Sequence, residues 1–213
     1  DHDNNQIASF YAGAMAFAKD YTLADVYTGK PDLVVISPND PLAMLQLSEE
    51  CRERGIRFVA DPSQQVPRLS GDELRRSIEG AYLLVVNASE AEIIGKKTGL
   101  TPNQLRDQVD ILIITQGKNG ADIYENGNVT RVGVFETDDI KDPTGVGDAF
   151  RAGLLRGIAS GWSLELSAEV GSLCAAYTLE QIGTQNHAYT IQDFVTRFRT
   201  QYDDKGALDE LLR

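Results

Sequence analysis

An α/β fold built on a mainly parallel sheet is what this 213-residue sequence predicts, and three patterns carry the prediction. Short Val/Ile/Leu runs without strict alternation read as strands buried on both faces. Amphipathic stretches with recognisable caps stand between them, giving a repeated strand–helix–strand order and helices over the sheet. No internal repeat, low-complexity tract or composition break marks a linker, so residues 1–213 read as a single α/β domain.

The predicted strands are Leu33–Ser37, Arg57–Ala60, Tyr82–Val86 and Ile111–Thr115. Between the first two, Asp40 as N-cap, Pro41 at the first helical position and Gly55 beyond Arg54 bound a helix. Gly71–Ile78 and Glu90–Lys97 are shorter helices, and Thr101-Pro102-Asn103-Gln104 is a capping box that starts another. After Thr115 the pattern changes. Ala121–Tyr124 and Val129–Val134, joined through Asn126-Gly127, read as an antiparallel hairpin with a tight turn. The remainder is helical: Asp148–Ala159, Ser163–Gln181, and Thr190–Tyr202 with a Thr190/Asp193 cap.

Composition narrows the function classes. A formal net charge of −12 disfavours nucleic acid or an anionic membrane as partner, because both require a basic face. An acidic surface is compatible with ATP, since Mg²⁺ and local N–H groups create a positive site inside a negative protein. The two cysteines, Cys51 and Cys174, read as reduced residues of a cytoplasmic protein rather than a disulfide framework. No apolar run approaches the roughly 20 residues that span a bilayer, so a soluble protein is expected.

The stretch Asp142-Pro143-Thr144-Gly145-Val146-Gly147-Asp148-Ala149-Phe150 carries the chemistry. A glycine-rich turn feeding a helix leaves backbone N–H groups pointing forward at the positive end of the dipole, which makes an anion pocket. Asp148 inside that pocket, where a lysine is more usual, suggests a proton acceptor beside a held phosphate. Taken alone, the same Asp148 is also a helix-start carboxylate complementing the dipole. Two better-known glycine loops are excluded. Phe150 stands where a dinucleotide fingerprint needs its third Gly, and neither Gly29-Lys30-Pro31 nor Gly95-Lys96-Lys97 continues as Gly-Lys-Ser/Thr. In open α/β sheets ligands collect beyond the carboxyl ends of the parallel strands, and Asp61, Asn87 and Thr115-Gln116-Gly117 all follow predicted strands. Their gathering at one edge predicts one site.

Asp142-x-x-Gly-x-Gly-Asp148, continuing through Gly153-Leu154-Leu155, resembles the C-terminal signature of the PfkB (ribokinase-like) family of sugar and nucleoside kinases. Val146 departs from the family's usual small residue; because the loop acts through N–H groups, the side chain is accommodated if it points away from the phosphate. The resemblance implies a ribokinase-like fold, with Asp148 as general base and the Gly145, Val146, Gly147 and Asp148 N–H groups as anion hole. It likens Asn87-Ala88-Ser89-Glu90 to the family's Asn-x-x-Glu, with Glu90 organising Mg²⁺ and its waters and Asn87 positioning it; the structural alternative is a helix start capped by Asn87 or Ser89. Thr115, Gly117 and Gly120 resemble the family's Thr-x-Gly-x-x-Gly segment along the nucleotide, and also suit a loop needing glycine. The resemblance further implies a K⁺ site beside Asp142 and an adenine border at Gly183, Gln185 and Asn186.

Other residues read more plainly. Lys141 and Arg151 are solvated charges, with phosphate contact as the alternative, while His187 is a loop residue and Trp162 belongs to the core or a helix junction. No zinc-ligand spacing occurs. Asp3-Asn4-Asn5-Gln6, Phe10-Tyr11-Ala12-Gly13-Ala14-Met15 and Gly183–His187 resemble the adenosine-kinase-like branch, implying ATP-dependent phosphorylation of adenosine at its 5′ hydroxyl. Phe10 would face the base or, as an aromatic on an N-terminal strand, belong to the core. Ribose or another sugar is the alternative acceptor, and a homodimer is left open. The family's first strand, Gly-Gly substrate loop and small β lid do not precede Asp1. The resemblance therefore covers the C-terminal portion of the fold, and a nucleotide-binding fragment inactive without an N-terminal segment is the second reading.

Overall fold

The computed structural model describes residues 10–213. Six strands form one sheet in the order β1-β2-β3-β4-β5-β6: β1 (Val34–Ile36), β2 (Phe58–Ala60), β3 (Ala81–Asn87), β4 (Val109–Thr115), β5 (Ala121–Glu125) and β6 (Asn128–Val132). The first four are parallel, in the registers Val35↔Val59, Ala60↔Leu84 and Leu84↔Leu112; β5 and β6 are the antiparallel part. The α-helices are α1 (Leu23–Val26), α2 (Pro41–Glu53), α3 (Gly71–Ile78), α4 (Ala88–Thr98), α5 (Pro102–Arg106), α6 (Val146–Ala159), α7 (Leu164–Leu179) and α8 (Ile191–Phe198). This is the α/β ribokinase-like architecture that the motifs implied.

The chain forms two compact units. Among the described residues, a sheet unit comprises 10–116 together with Asp122–Val129, and a helical unit comprises Gly117–Ala121 and Thr130–Arg213. In the sheet unit, Leu84, Val86 and Leu112 pack with Met44, Leu74, Ile78, Ile94 and Leu105 from four helices. Their strand neighbours Leu83, Val85, Ile111 and Ile113 are buried too, so β3 and β4 are dry on both faces, as their unbroken apolar runs require. Asp40 caps α2, accepting from the N–H groups of Leu42 (3.0 Å) and Ala43 (3.2 Å). The β5–β6 turn places Asn126 and Gly127 at φ 49° and 76°, the left-handed pair that a two-residue hairpin demands.

In the helical unit, α6 and α7 approach closely through small residues. A Cβ on Gly153 would lie 2.7 Å from the Gly171 Cα, and one on Gly157 would lie 2.4 Å from the Ser167 Oγ. These glycines serve the helix contact, not flexibility. A second cluster joins α7 and α8 through Val170, Leu173, Phe194, Val195 and Phe198, with Trp162 packed against it and donating to Glu210 Oε1 at 2.8 Å. The predicted helix Thr190–Tyr202 ends earlier, at Phe198. The chain closes there into a turn held by Arg199, whose guanidinium binds Asp204 (2.8 and 2.9 Å) and Asp209 (2.6 Å).

Phe10 corrects an expectation. It lies in neither a strand nor a helix and is 65% exposed, so it is not a core aromatic. The quartet Asp3–Gln6 falls outside the described residues.

Candidate active site

The helical unit forms the glycine turn at the start of α6. Gly145 is the N-cap at φ +81°, a left-handed conformation that side-chain-bearing residues seldom adopt. Val146, Gly147 and Asp148 are the first three helical residues, and no side chain caps them. The first i→i−4 bond runs from the Ala149 N–H to the Gly145 carbonyl (2.9 Å), so the N–H groups of Gly147 and Asp148 fall ahead of the helical ladder. Val146 is half-buried and leaves the turn intact. Gly145 is required twice over: besides its φ, a Cβ there would stand 2.9 Å from the Thr184 Cγ2.

Asp148 projects from this turn with 77% of its side chain exposed, and its Oδ1 accepts from the Arg151 guanidinium. Arg151 is itself only 19% exposed, which corrects the solvated-charge expectation. Its Nη1 lies 3.6 Å from where a Gly147 Cβ would stand, so the guanidinium lies beside the second glycine of the turn. The i,i+3 spacing is the signal that could have found this pair. Lys141 is the exposed charge expected, paired with Asp139 at 2.9 Å.

Asp142 laces the turn to the chain leaving α7. Its Oδ1 accepts from the Thr144 N–H (2.9 Å) and its Oδ2 from the Gly183 N–H (3.0 Å). Hydrogen bonds from Thr144, then Gly183, hold its carboxyl below the usual carboxylate range. The N–H groups of Lys141 (2.9 Å) and Asp142 (3.3 Å) both reach the Leu179 carbonyl. Sequence reasoning missed Thr184, whose methyl fills the space beside Gly145. In the same segment Asn186 donates to the Ile182 carbonyl (2.6 Å), and Gln185 is exposed. His187 stacks over Tyr189 (6.0 Å between centroids), which stacks on Tyr177 (4.2 Å).

The sheet unit brings Asn87 and Thr115 together: they end β3 and β4 and stand opposite in register. Asn87, rather than Ser89, caps α4. Its Oδ1 accepts from the Glu90 N–H (2.8 Å), and Glu90 Oε2 accepts from the Asn87 N–H (2.8 Å). Asp61 follows β2, is buried, and accepts from the Ser37 hydroxyl at 3.2 Å. The two loop glycines differ. Gly117, at φ +55°, has open space where its Cβ would be, whereas a Cβ on Gly120 would meet the Val132 carbonyl at 2.0 Å. Gly120 thus admits the neighbouring strand, while Gly117 leaves its backbone approachable.

Residues 1–191 match the family described as pfkB family carbohydrate kinase. The chain belongs to this family. Over 198 residues it is 31% identical to a nucleoside kinase of Methanocaldococcus jannaschii, covering 92% of this chain and 64% of that one. It is 27% identical over 158 residues to an adenosine kinase of Saccharomyces cerevisiae, covering 67% and 46%. Among solved structures, the Burkholderia thailandensis nucleoside kinase in complex with inosine superposes with a TM-score of 0.84 at 33% identity, covering 94% and 66%. The same kinase in complex with ADP-inosine gives a TM-score of 0.83. The chain thus spans just under two thirds of the Methanocaldococcus jannaschii and Burkholderia thailandensis nucleoside kinases. Among the described residues, no group of three His, Cys, Asp or Glu is arranged to hold a metal, and no helix is long and apolar enough to cross a membrane.

Proposed function

We propose that this chain carries the phosphoryl-transfer machinery of an ATP-dependent nucleoside kinase, with a purine nucleoside as acceptor at its 5′ hydroxyl and adenosine as the first candidate. The observation that carries the reading is the uncapped start of α6, where Gly145 in the left-handed region and Asp148 in the first turn place N–H donors beside an exposed carboxylate. The likeness to kinases described as acting on nucleosides supports the acceptor class.

The chemistry follows from that arrangement. Asp148 takes the hydroxyl proton as the acceptor oxygen bonds to the γ-phosphorus. The bond from phosphorus to the bridging oxygen breaks, and its electron pair leaves with ADP. The turn's N–H groups and the helix dipole stabilise charge on the phosphoryl oxygens. Positioning and electrostatics are what phosphoryl transfer asks of a protein.

Mg²⁺ supplies neutralisation of the β/γ oxygens when bound. Glu90 suits water-mediated magnesium, because one carboxylate oxygen is committed to the α4 cap and, among the described residues, no cluster of metal-binding side chains surrounds it. Asp142 is the residue assigned to K⁺, its carboxylate being held in place beside the turn by the N–H groups of Thr144 and Gly183. Thr115 and Gly117, with Gly183, Gln185 and Asn186, are assigned to the nucleotide, and exposed Phe10 to stacking on the base.

ADP release with Mg-ATP and K⁺, measured across adenosine, inosine, ribose and fructose 6-phosphate, tests the reading, with Asp148→Asn in parallel. Release that depends on a nucleoside and disappears in the variant supports it. Release with sugars alone moves the acceptor to a carbohydrate, and an unchanged rate in Asp148→Asn removes the base.

A further inference from the structure

We infer that Arg151 is a catalytic charge partner of Asp148: it holds the carboxylate before reaction and engages the phosphoryl oxygens as the carboxylate takes the proton. This rests on the kinase reading above. Three observations within the helical unit carry it. The Arg151 guanidinium binds Asp148 Oδ1 across one helical turn. Its side chain is four-fifths covered while that of Asp148 is largely open, so the cation is the fixed member of the pair and the acid the accessible one. Its Nη1 lies beside Gly147, within the stretch of backbone whose N–H groups form the anion turn.

The electrostatic problem explains why a cation belongs there. A carboxylate base must approach a transferring group that is itself anionic, and the two repel. During the reaction the acid is neutralised by the proton, while negative charge builds on the phosphoryl oxygens and the departing ADP. A guanidinium placed between the two positions stays paired throughout: with the carboxylate at the start, with the phosphoryl oxygens later. It has five N–H donors in a rigid fork, matched to carboxylate and phosphate alike. Because the phosphoryl contact is made as charge develops, it lowers the barrier rather than only tightening binding.

The test uses Arg151→Met, Arg151→Lys and Arg151→Ala in the same protein, with melting curves confirming that each folds. The expected result for Arg151→Met is a kcat lower by on the order of 10²-fold, less than a full arginine finger because the turn's N–H groups remain. The nucleoside KM should change little. Arg151→Lys should retain part of the rate, and millimolar guanidinium should restore part of it to Arg151→Ala but not raise the wild type. A packing role alone would lower the melting temperature and give no rescue. An active wild type with Arg151→Met within about threefold in kcat overturns the inference and leaves the kinase reading standing.

A turnover-free measurement separates the two. Binding of Mg-ATP and Mg-ADP is compared by calorimetry without acceptor, and the preference for ATP should narrow by roughly tenfold in Arg151→Met. If the wild type phosphorylates no acceptor, the kinase reading fails, and an unchanged ATP preference in the variant overturns the role of Arg151 as well.

Discussion

The starts of α4 and α6 solve the same problem in opposite ways. At α4, Asn87 and Glu90 exchange hydrogen bonds of 2.8 Å each, and the helix closes on itself. At α6, Gly145 offers no side chain at all. Among the described α-helices the remaining six also have side-chain caps, from Thr22, Asp40, Ser70, Thr101, Ser163 and Thr190. A cap such as these is worth about 1 kcal/mol. Its omission at α6 leaves the first N–H groups without a side-chain cap, the arrangement that the proposed anion site requires. The seven capped starts satisfy donors of their own helices, whereas under the proposed function the start of α6 keeps its donors for a ligand.

Substitutions can break this contrast, and the largest effect belongs to Asp148. Asp148→Asn should lower kcat by about 10²–10⁴-fold, as expected for loss of a general base, with melting temperature unchanged. An equal loss of rate and stability would make Asp148 a structural residue. Gly145→Ala comes next. It forces a side chain into φ +81° and against Thr184 at 2.9 Å, so the turn shifts and kcat should fall by on the order of 10²-fold. Gly127→Ala is its control: φ is +76° but the space is open. Only the strain of roughly 1 kcal/mol should appear there, read as a small drop in melting temperature. Comparable activity losses in both would mean that the α6 turn is not special.

Asn87→Ala tests the other side of the comparison. Removing the cap should lower the melting temperature by about 2–4 °C, with Asn87→Asp recovering most of it. No change on thermal melting would show that the capping box contributes nothing.

A last effect lies away from both helix starts and separates pH-dependent stability from them. Burial, then the neighbouring Glu165 and Asp203, push the Glu169 carboxyl up to about 7. Between its ordinary range and pH 7 the folded protein holds a proton there that the unfolded chain releases. Stability therefore falls as pH rises through that window. Glu169→Gln should raise the melting temperature by about 3 °C at pH 8 and leave it unchanged at pH 4, with kcat unaffected. An equal shift at both values would rule out titration of Glu169 as the cause.

Much of the fold was legible because its signals are local. The Asp40-Pro41 start, the Thr101/Gln104 and Thr190/Asp193 boxes and the Asn126-Gly127 turn each involve residues no more than three apart, and each forms. The glycine turn was legible for the same reason, since Gly145 and the helix it opens are adjacent in the chain. Arg151 was misjudged because exposure was assumed from residue type, whereas packing covers its stem and aims its head at Asp148. For Phe10 the sequence left open a place facing the base or one in the core, and its exposure excludes the core, since an aromatic side chain does not by itself specify a core position.

By itself the sequence determined the order of the strands and most of the helices, several of their caps, and where a bare glycine turn presents an acid. Each of those depends on hydrogen bonds or backbone angles within a single turn. Only the tertiary structure decided that Asp142 reaches the Gly183 N–H 41 residues away, that Thr184 fills the space beside Gly145, and that Gly153 meets Gly171 across two helices. Such contacts need long loops to close before they contribute anything, and their partners are chosen by how whole helices pack, which no short stretch of chain specifies.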